Sequence, residues 1–250
     1  SESGIRRFIA HFEFLKKSWR IPGHYILSSL NNFPADCGLA SSASSFAALT
    51  RATAKLARLK GQVAESELSL PCLSEMSRRG SGSSCRSFYS PWSLWQRGGA
   101  EPLHNTELVL LHQVVVVESG KKSVSSSEAH RRVPSSALFK GRPERAEARL
   151  KSLIQVIAES DWRHGFEICW SEFWDMHALF ETSFPSFGYM KPASLAVLEL
   201  IRKEWEVNQD GPWVTMDAGA NVHLLYREDQ KNLAQNLKTS LQKFGKVLGL

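Results

Sequence analysis

The stretch that decides the fold is residues 31–44, which read NNFPADCGLASSAS. A proline and a glycine open a tight loop, and apolar residues then recur every three to four positions from Ala43 to Leu56, which predicts a helix. Ser41 and Ser42 therefore lie at a helix N-terminus, where backbone N–H groups lack intrahelical partners and the helix dipole is positive. We interpret this phosphate loop as a cradle for a phosphate group, although a serine-rich N-cap without a ligand fits the same residues.

Two further motifs are rich in small residues. The Gly–Ser loop, residues 78–87, reads RRGSGSSCRS, and residues 216–221 read MDAGAN. Arg86 is able to meet a carboxylate with two parallel N–H bonds, which a lysine cannot do, but taken alone it is an ordinary surface arginine. Asp217 follows a predicted strand at a point where Ala-Gly leaves room for a ligand, and an aspartate that begins a turn explains the same residues.

Together these motifs resemble the mevalonate diphosphate decarboxylase family of the GHMP kinase superfamily. Residues 31–44 are similar to its NNFP…GLASSA phosphate loop, residues 78–87 to its RRGSGSACRS segment, and residues 216–221 to its FDAGPN segment. Weaker similarity at residues 118–127 and 183–189 extends the likeness over nearly the whole chain.

The resemblance implies an α+β, two-domain GHMP kinase fold. We expect an N-terminal domain over residues 1–104, a ferredoxin-like C-terminal domain over residues 105–250, and an active site in the cleft between them. The family's KYWGK-like segment has no match here, and the chain starts directly at a helix. We therefore expect the N-terminal domain to be truncated in this chain.

The resemblance also implies a reaction. It is the ATP-dependent decarboxylation of mevalonate 5-diphosphate to isopentenyl diphosphate, with release of ADP, phosphate and carbon dioxide, in isoprenoid biosynthesis. ATP and Mg²⁺ are the implied cofactors, and no protein ligand for the metal is assigned. The implied site consists of catalytic Asp217 and Arg86, substrate-binding Ser81, Gly82, Ser83 and Arg86, and ATP-binding Gly38, Leu39, Ala40, Ser41 and Ser42.

Two alternatives stay open at this point. A related enzyme of the superfamily would act on mevalonate or mevalonate phosphate, as a 3-kinase or a phosphomevalonate decarboxylase, and a non-catalytic relative would only bind a phosphorylated metabolite. The chain departs from the family pattern in three regions: in and just after the phosphate loop, in the aromatic-rich helix predicted after Asp161, and at residues 216–221. His177 resembles a family histidine but lies on an apolar face, so we interpret it as a core residue, and Lys121 and Lys122 fit either a family lysine pair or a solvated pair. The departures are Asp36 and Ser45 in and after the phosphate loop, Phe173 and Trp174 in the aromatic helix, and Ala220 in place of proline.

Composition excludes several other classes of protein. The chain has 250 residues, a net charge of +6 and no long basic run or nucleic-acid module, so we expect a polyphosphate site rather than nucleic-acid binding. No apolar stretch reaches the roughly 18 residues of a membrane helix, and no signal-peptide layout is visible. The four cysteines are scattered without a CxxC pair, which favours a reducing cytoplasm. A homodimer is expected from the resemblance.

Hydrophobic periodicity predicts the secondary structure, with the domain boundary just before residue 107. Helices are predicted at residues 5–19, 41–59, 144–160 and 228–244, after Asp161, from Pro192 and briefly at Pro71. Strands are predicted at residues 24–30, 92–96, 107–117, 213–217 and 222–226, and residues 119–136 are predicted to be a mobile loop with room for a short helix.

Overall fold

The computed structural model describes residues 2–33, 39–61, 63–96, 98–104, 106, 108–120 and 122–250. The described residues form two compact units: the first contains those within 2–33 and 40–104, and the second contains Leu39 and those from 106 to 250. Within the described ranges, no helix is both long and apolar enough to cross a membrane.

The first unit is mainly helical. Its helices are α1 (Glu2–Ser18), α2 (Ser41–Leu59) and α3 (Leu70–Arg78), with short 3₁₀ helices at Glu65–Leu68 and Gly82–Phe88. Strands β1 (Ser93–Gln96) and β2 (Gly99–Pro102) form an antiparallel hairpin. The apolar positions of α1 and α2 recur at helical spacing, so each helix buries one face in a shared core that includes Phe12, Leu15, Trp19, Ala47 and Ala54.

The predicted strand at residues 24–30 is wrong for this structure. These residues are in neither a helix nor a strand, since no neighbouring strand in the described first unit forms a ladder with them. The alternating pattern still has a physical effect, because Tyr25 and Leu27 pack against the core while Ile26 is 99% exposed. A period-two pattern selects one face for burial, but a strand also needs a partner for its backbone groups.

The second unit is an antiparallel sheet covered by helices. Its strands are β3 (Leu110–Val116), β4 (Trp213–Met216), β5 (Val222–Arg227) and β6 (Lys246–Leu248), in the spatial order β4-β5-β3-β6. The helices are α4 (Ser126–Arg132), α5 (Arg142–Glu159), α6 (Trp162–Glu181), α7 (Pro192–Asn208) and α8 (Lys231–Leu241). A strand, helices, two strands, a helix and a strand in this order make a ferredoxin-like domain, which confirms the expected α+β fold.

Three features of this unit were not predicted from the sequence. β6 was not predicted, because a three-residue edge strand next to Gly245 and Gly249 carries almost no periodic signal. The long predicted strand at 107–117 is only partly buried, since His112 is exposed while Gln113 to Val116 are buried. The predicted final helix also starts later, at Lys231, because residues Glu228–Gln230 form a 3₁₀ turn.

Candidate active site

The phosphate loop ends at the N-terminus of α2. Ala40, the residue before the helix, has the left-handed backbone conformation (φ 54°, ψ 31°) and has no side chain that could cap the first turn. Leu39 and Ala40 therefore turn the chain into the helix, with Ser41 half-buried and Ser42 exposed. Gly38, predicted to belong to the same loop, lies outside the described residues. An exposed, positively polarised first turn bearing a hydroxyl has the chemistry that favours an anion.

The Gly–Ser loop lies beside that turn. The hydroxyl of Ser81 donates to the hydroxyl of Ser42 across 3.4 Å, so the first turn of α2 and the Gly–Ser loop lie side by side within the first unit. Ser83 and Gly82 follow in the 3₁₀ helix, where Gly82 is exposed and Ser83 half-buried. Ser84 is fully buried and donates to the backbone oxygen of Ser81 at 2.6 Å, which fixes the turn from below.

Gly80 explains how closely this loop approaches the helices beneath it. A Cβ atom at Gly80 would lie 2.2 Å from Cδ1 of Phe46 and 2.8 Å from Cγ of His11. Only a residue without a side chain fits there. The guanidinium of Arg7 also donates to the Gly80 carbonyl at 3.0 Å, and His11 is 5% exposed with its pKa lowered to about 4 by burial.

Arg86 projects from the 3₁₀ helix that follows the loop. Its side chain is exposed, and its guanidinium carbon lies 5.7 Å from the centre of the Trp95 ring. Within the described part of the first unit, no carboxylate forms an ion pair with it, whereas Arg58 and Arg78 do pair with acids. The neighbouring Cys85 is fully buried, and burial raises the pKa of its thiol, which favours a packing role over that of a nucleophile.

In the second unit, Asp217 stands directly after β4 and is exposed. Its carboxylate accepts a hydrogen bond from the backbone N–H of Ala218 at 2.9 Å, and its carbonyl accepts one from Gly219 at 2.7 Å. The aspartate therefore does start a turn, as the simpler interpretation had it. The bond from Ala218 N–H uses Oδ1 alone, so starting the turn and accepting a proton are compatible roles.

Several side chains hold the Asp217 loop (residues 217–221) by its backbone. His177 Nε2 lies 3.2 Å from the Asp217 carbonyl oxygen; because that oxygen only accepts, Nε2 carries the proton and donates. The Lys122 ammonium donates to the Ala218 carbonyl at 2.6 Å, and the Ser194 hydroxyl donates to the Ala220 carbonyl at 2.6 Å. The buried amide of Asn221 accepts a hydrogen bond from the backbone N–H of Glu118 and donates one to the Glu118 carbonyl.

Sequence reasoning left His177 and Lys122 outside the site. His177 is indeed a core residue, 2% exposed, with its pKa lowered to about 4 mainly by burial. Its contact with Asp217 has no local signal, because the two residues are 40 positions apart. Lys122 was recognised as one of a pair, but only the fold shows that its charge reaches the Asp217 loop, where it also lies 5.7 Å from the Tyr189 ring centre. Lys121 lies outside the described residues.

The aromatic residues that depart from the family pattern are structural. Phe173 is 1% exposed and packs edge-on against Trp170, and Trp174 tilts against both rings. Among the described residues, no group of three or more His, Cys, Asp or Glu side chains converges to hold a metal ion.

Comparisons with known proteins agree along the chain. Residues 1–106 match the family model of the diphosphomevalonate decarboxylase-like N-terminal domain, and residues 112–247 match that of the mevalonate 5-diphosphate decarboxylase C-terminal domain. The chain belongs to the diphosphomevalonate decarboxylase family. The second match alone covers more than half of the chain, which is enough to decide the assignment.

Individual proteins that are similar to this chain are named as decarboxylases of the same family. The diphosphomevalonate decarboxylase of Saccharomyces cerevisiae is 33% identical over 82% of this chain and 53% of its own length. The mevalonate diphosphate decarboxylase of Legionella pneumophila has a solved structure that is 44% identical, with a TM-score of 0.89 over 97% of this chain and 77% of that one. A structure described as MDDEF in complex with MVAPP, AMPPCP and magnesium is 28% identical over 98% of this chain and 74% of its own, with a TM-score of 0.81. The chain spans about half the length of the curated relatives it matches.

Proposed function

We propose that this protein catalyses the ATP-dependent decarboxylation of mevalonate 5-diphosphate to isopentenyl diphosphate, with release of ADP, phosphate and carbon dioxide. The observation that carries the proposal is the pairing of two small-residue loops at Ser42 and Ser81, with the exposed Arg86 on the second of them. Two adjacent anion cradles suit a reaction between two phosphate-bearing molecules. The family to which the chain belongs supports the same reaction.

The two loops divide the phosphate groups between them. Leu39, Ala40, Ser41 and Ser42 bind the ATP phosphates at the start of α2, with Gly38 as the expected first residue of that cradle. Ser81, Gly82 and Ser83 bind the diphosphate of the substrate. Mg²⁺ commonly binds through phosphates and waters with one or two carboxylates, and when bound with ATP it would neutralise part of the phosphate charge.

Arg86 and Asp217 take the two chemical roles. The Arg86 fork binds the substrate carboxylate through two parallel N–H bonds and fixes the bond that will break. The Asp217 carboxylate accepts the proton of the tertiary hydroxyl as ATP phosphorylates it, a step worth roughly 10²–10⁴ in rate. Phosphate and carbon dioxide then leave together to form the alkene. The hydrogen bonds from His177 and Lys122 to the backbone of residues 217 and 218 hold that carboxylate in place.

The wider setting is part of the proposal. We propose that the domains divide between residues 104 and 105 and that a single reaction uses both Arg86 and Asp217. A cytoplasmic homodimer that binds neither nucleic acid nor a membrane completes the proposal. The scattered cysteines favour the cytoplasm, and light scattering of the purified protein tests the oligomeric state.

The experiment measures phosphate and carbon dioxide from purified protein with ATP and three substrates in parallel: mevalonate, mevalonate 5-phosphate and mevalonate 5-diphosphate. Release of both products from the diphosphate alone is the expected result. ADP without carbon dioxide would indicate a 3-kinase, and carbon dioxide from the monophosphate would indicate a phosphomevalonate decarboxylase. Binding of the diphosphate with no turnover on any substrate would indicate a non-catalytic protein and overturn the proposal.

A further inference from the structure

Trp95 is a large apolar side chain that the proposed reaction does not yet use. It lies on β1, opposite Ala100 of β2, and remains 40% exposed. Its ring lies close to the Gly–Ser loop at two residues, Arg86 and Gly82. The ring centre lies 5.7 Å from the Arg86 guanidinium carbon, and Cη2 lies 3.5 Å from the place that a Cβ atom would occupy on Gly82.

Arg86 is held differently from Arg58 and Arg78, the two ion-paired arginines among the described residues between 20 and 104. Arg58 and Arg78 each donate to a carboxylate at 2.7 Å, which neutralises them and occupies N–H groups. An aromatic face attracts a guanidinium through the ring quadrupole and takes none of its N–H donors. Arg86 therefore has an orienting contact that leaves its charge and its planar fork available to a ligand.

We propose that Trp95 is a positioning residue that orients the Arg86 guanidinium toward the carboxylate of the substrate. The inference rests on the proposed function, because it assigns the target of Arg86 as a carboxylate. This positioning role predicts a different effect on two kinds of ligand, whereas a role in packing alone predicts the same effect on both. Loss of the Trp95 ring should weaken ligands that carry the carboxylate and spare those that carry only the diphosphate.

Mevalonate 5-diphosphate and isopentenyl diphosphate provide this contrast, since both carry a diphosphate and only the first carries a carboxylate. Calorimetry measures the affinity of each for wild-type protein, Trp95→Leu and Trp95→Phe. A cation–π contact at an exposed site predicts about two- to fivefold weaker binding of mevalonate 5-diphosphate to Trp95→Leu. Isopentenyl diphosphate should bind unchanged, and Trp95→Phe, which keeps an aromatic face, should recover part of the loss.

A matched control lies on the same loop. The guanidinium carbon of Arg79 lies 5.2 Å from the Phe14 ring centre, so Phe14→Leu removes a similar contact from a neighbouring arginine. This variant should leave the ratio of the two affinities at its wild-type value. In an Arg86→Lys background, Trp95→Leu should weaken the binding of mevalonate 5-diphosphate by a smaller factor than it does in the wild type. The reason is that the two side chains act through one contact.

Several results would overturn the inference. Equal weakening of both ligands in Trp95→Leu and Trp95→Phe would make Trp95 a wall of the diphosphate site, and no change in either would leave it without a role in binding. Full additivity with Arg86→Lys would separate the two residues. If the wild-type protein binds neither ligand, the proposed function itself fails and the inference falls with it, an outcome distinct from the others because it is visible before any variant is made.

Discussion

The Gly–Ser loop and the Asp217 loop are held in place in opposite ways. Gly80 is pressed against the rings of Phe46 and His11, where the absence of a Cβ atom creates the fit. The Asp217 loop is instead tied by hydrogen bonds, with His177 and Lys122 each donating to a backbone carbonyl. The Gly–Ser loop thus depends on a residue without a side chain, whereas the Asp217 loop depends on side chains from distant elements.

The difference follows from what each loop has to do. A loop that surrounds a phosphate needs its backbone close to the ligand and few side chains in the way, so small residues suffice. A single carboxylate that receives a proton has to stay at one position, since a displacement of about 1 Å is able to cost roughly 10²-fold in rate. Tying the loop at successive carbonyls provides that accuracy.

The largest expected effect tests the Asp217 loop. Asp217→Asn keeps the oxygen that accepts from Ala218 N–H but loses the charge and the proton acceptor. Phosphate release from mevalonate 5-diphosphate and ATP should fall by roughly 10²–10⁴. The melting temperature should stay at the wild-type value, because the side chain is exposed and its turn bond survives. Wild-type turnover in this variant would show that Asp217 only begins a turn.

The next prediction concerns the close packing of Gly80 in the Gly–Ser loop. Gly80→Ala places a methyl group within 2.2 Å of the Phe46 ring, so the free energy of unfolding should drop by about 1–3 kcal/mol in urea denaturation. Gly98→Ala is the matched control, because a Cβ atom there meets nothing within 4 Å. Equal stability of the two variants would mean that the loop moves away from the helices without cost.

A smaller effect separates ATP binding from substrate binding. Ser42→Ala removes the hydroxyl that faces Ser81, and a hydrogen bond to a charged group is worth ~1.5–3 kcal/mol. The KM for ATP should therefore rise about tenfold or more, with a smaller change for mevalonate 5-diphosphate. Ser44→Ala serves as the control, since that hydroxyl bonds the Ser41 carbonyl inside the helix. An unchanged KM for ATP in Ser42→Ala would leave this loop with no role in binding ATP.

The contrast between the loops also explains what the sequence could reveal. The Gly–Ser loop and the start of α2 were visible because glycines, serines and helical periodicity are local signals. Ser42 and Ser81 were assigned to adjoining sites from motif alone, and the fold places their hydroxyls 3.4 Å apart. The starts of the helices from α5 to α7 were likewise predicted within two residues of those observed.

The features that the sequence did not reveal depend on long-range contacts. His177 was interpreted only as a core residue, because an apolar helix face does not show that its ring reaches Asp217. Residues 24–30 carry strand periodicity but find no strand to pair with in the described first unit, and β6 pairs with β3 from a segment too short to signal. Pairing partners are set by tertiary structure, which periodicity alone does not encode.

A buried histidine lies against each of the two loops. His11 touches Gly80 from below and His177 touches Asp217, and burial lowers the pKa of each to about 4 from an ordinary value of 6.5. The Thr50 hydroxyl gives its proton to the Phe46 carbonyl, so His11 Nε2 must donate to Thr50 across 3.1 Å. Both rings are therefore neutral donors at pH 7.

The smallest predicted effect is a change in the pH dependence of stability. Between pH 6.5 and about 4 the unfolded chain binds a proton at His11 that the folded chain does not, so acidification through this window favours unfolding. Each such group contributes a slope of at most about 1.4 kcal/mol per pH unit. His11→Gln removes the titration and keeps an N–H donor near the position of Nε2 for Thr50, so its unfolding free energy, measured in urea from pH 7 to 4.5, should fall less steeply than that of the wild type. Parallel curves would show that His11 becomes protonated in the folded state as readily as in the unfolded chain, and that the packing beneath Gly80 is open to water.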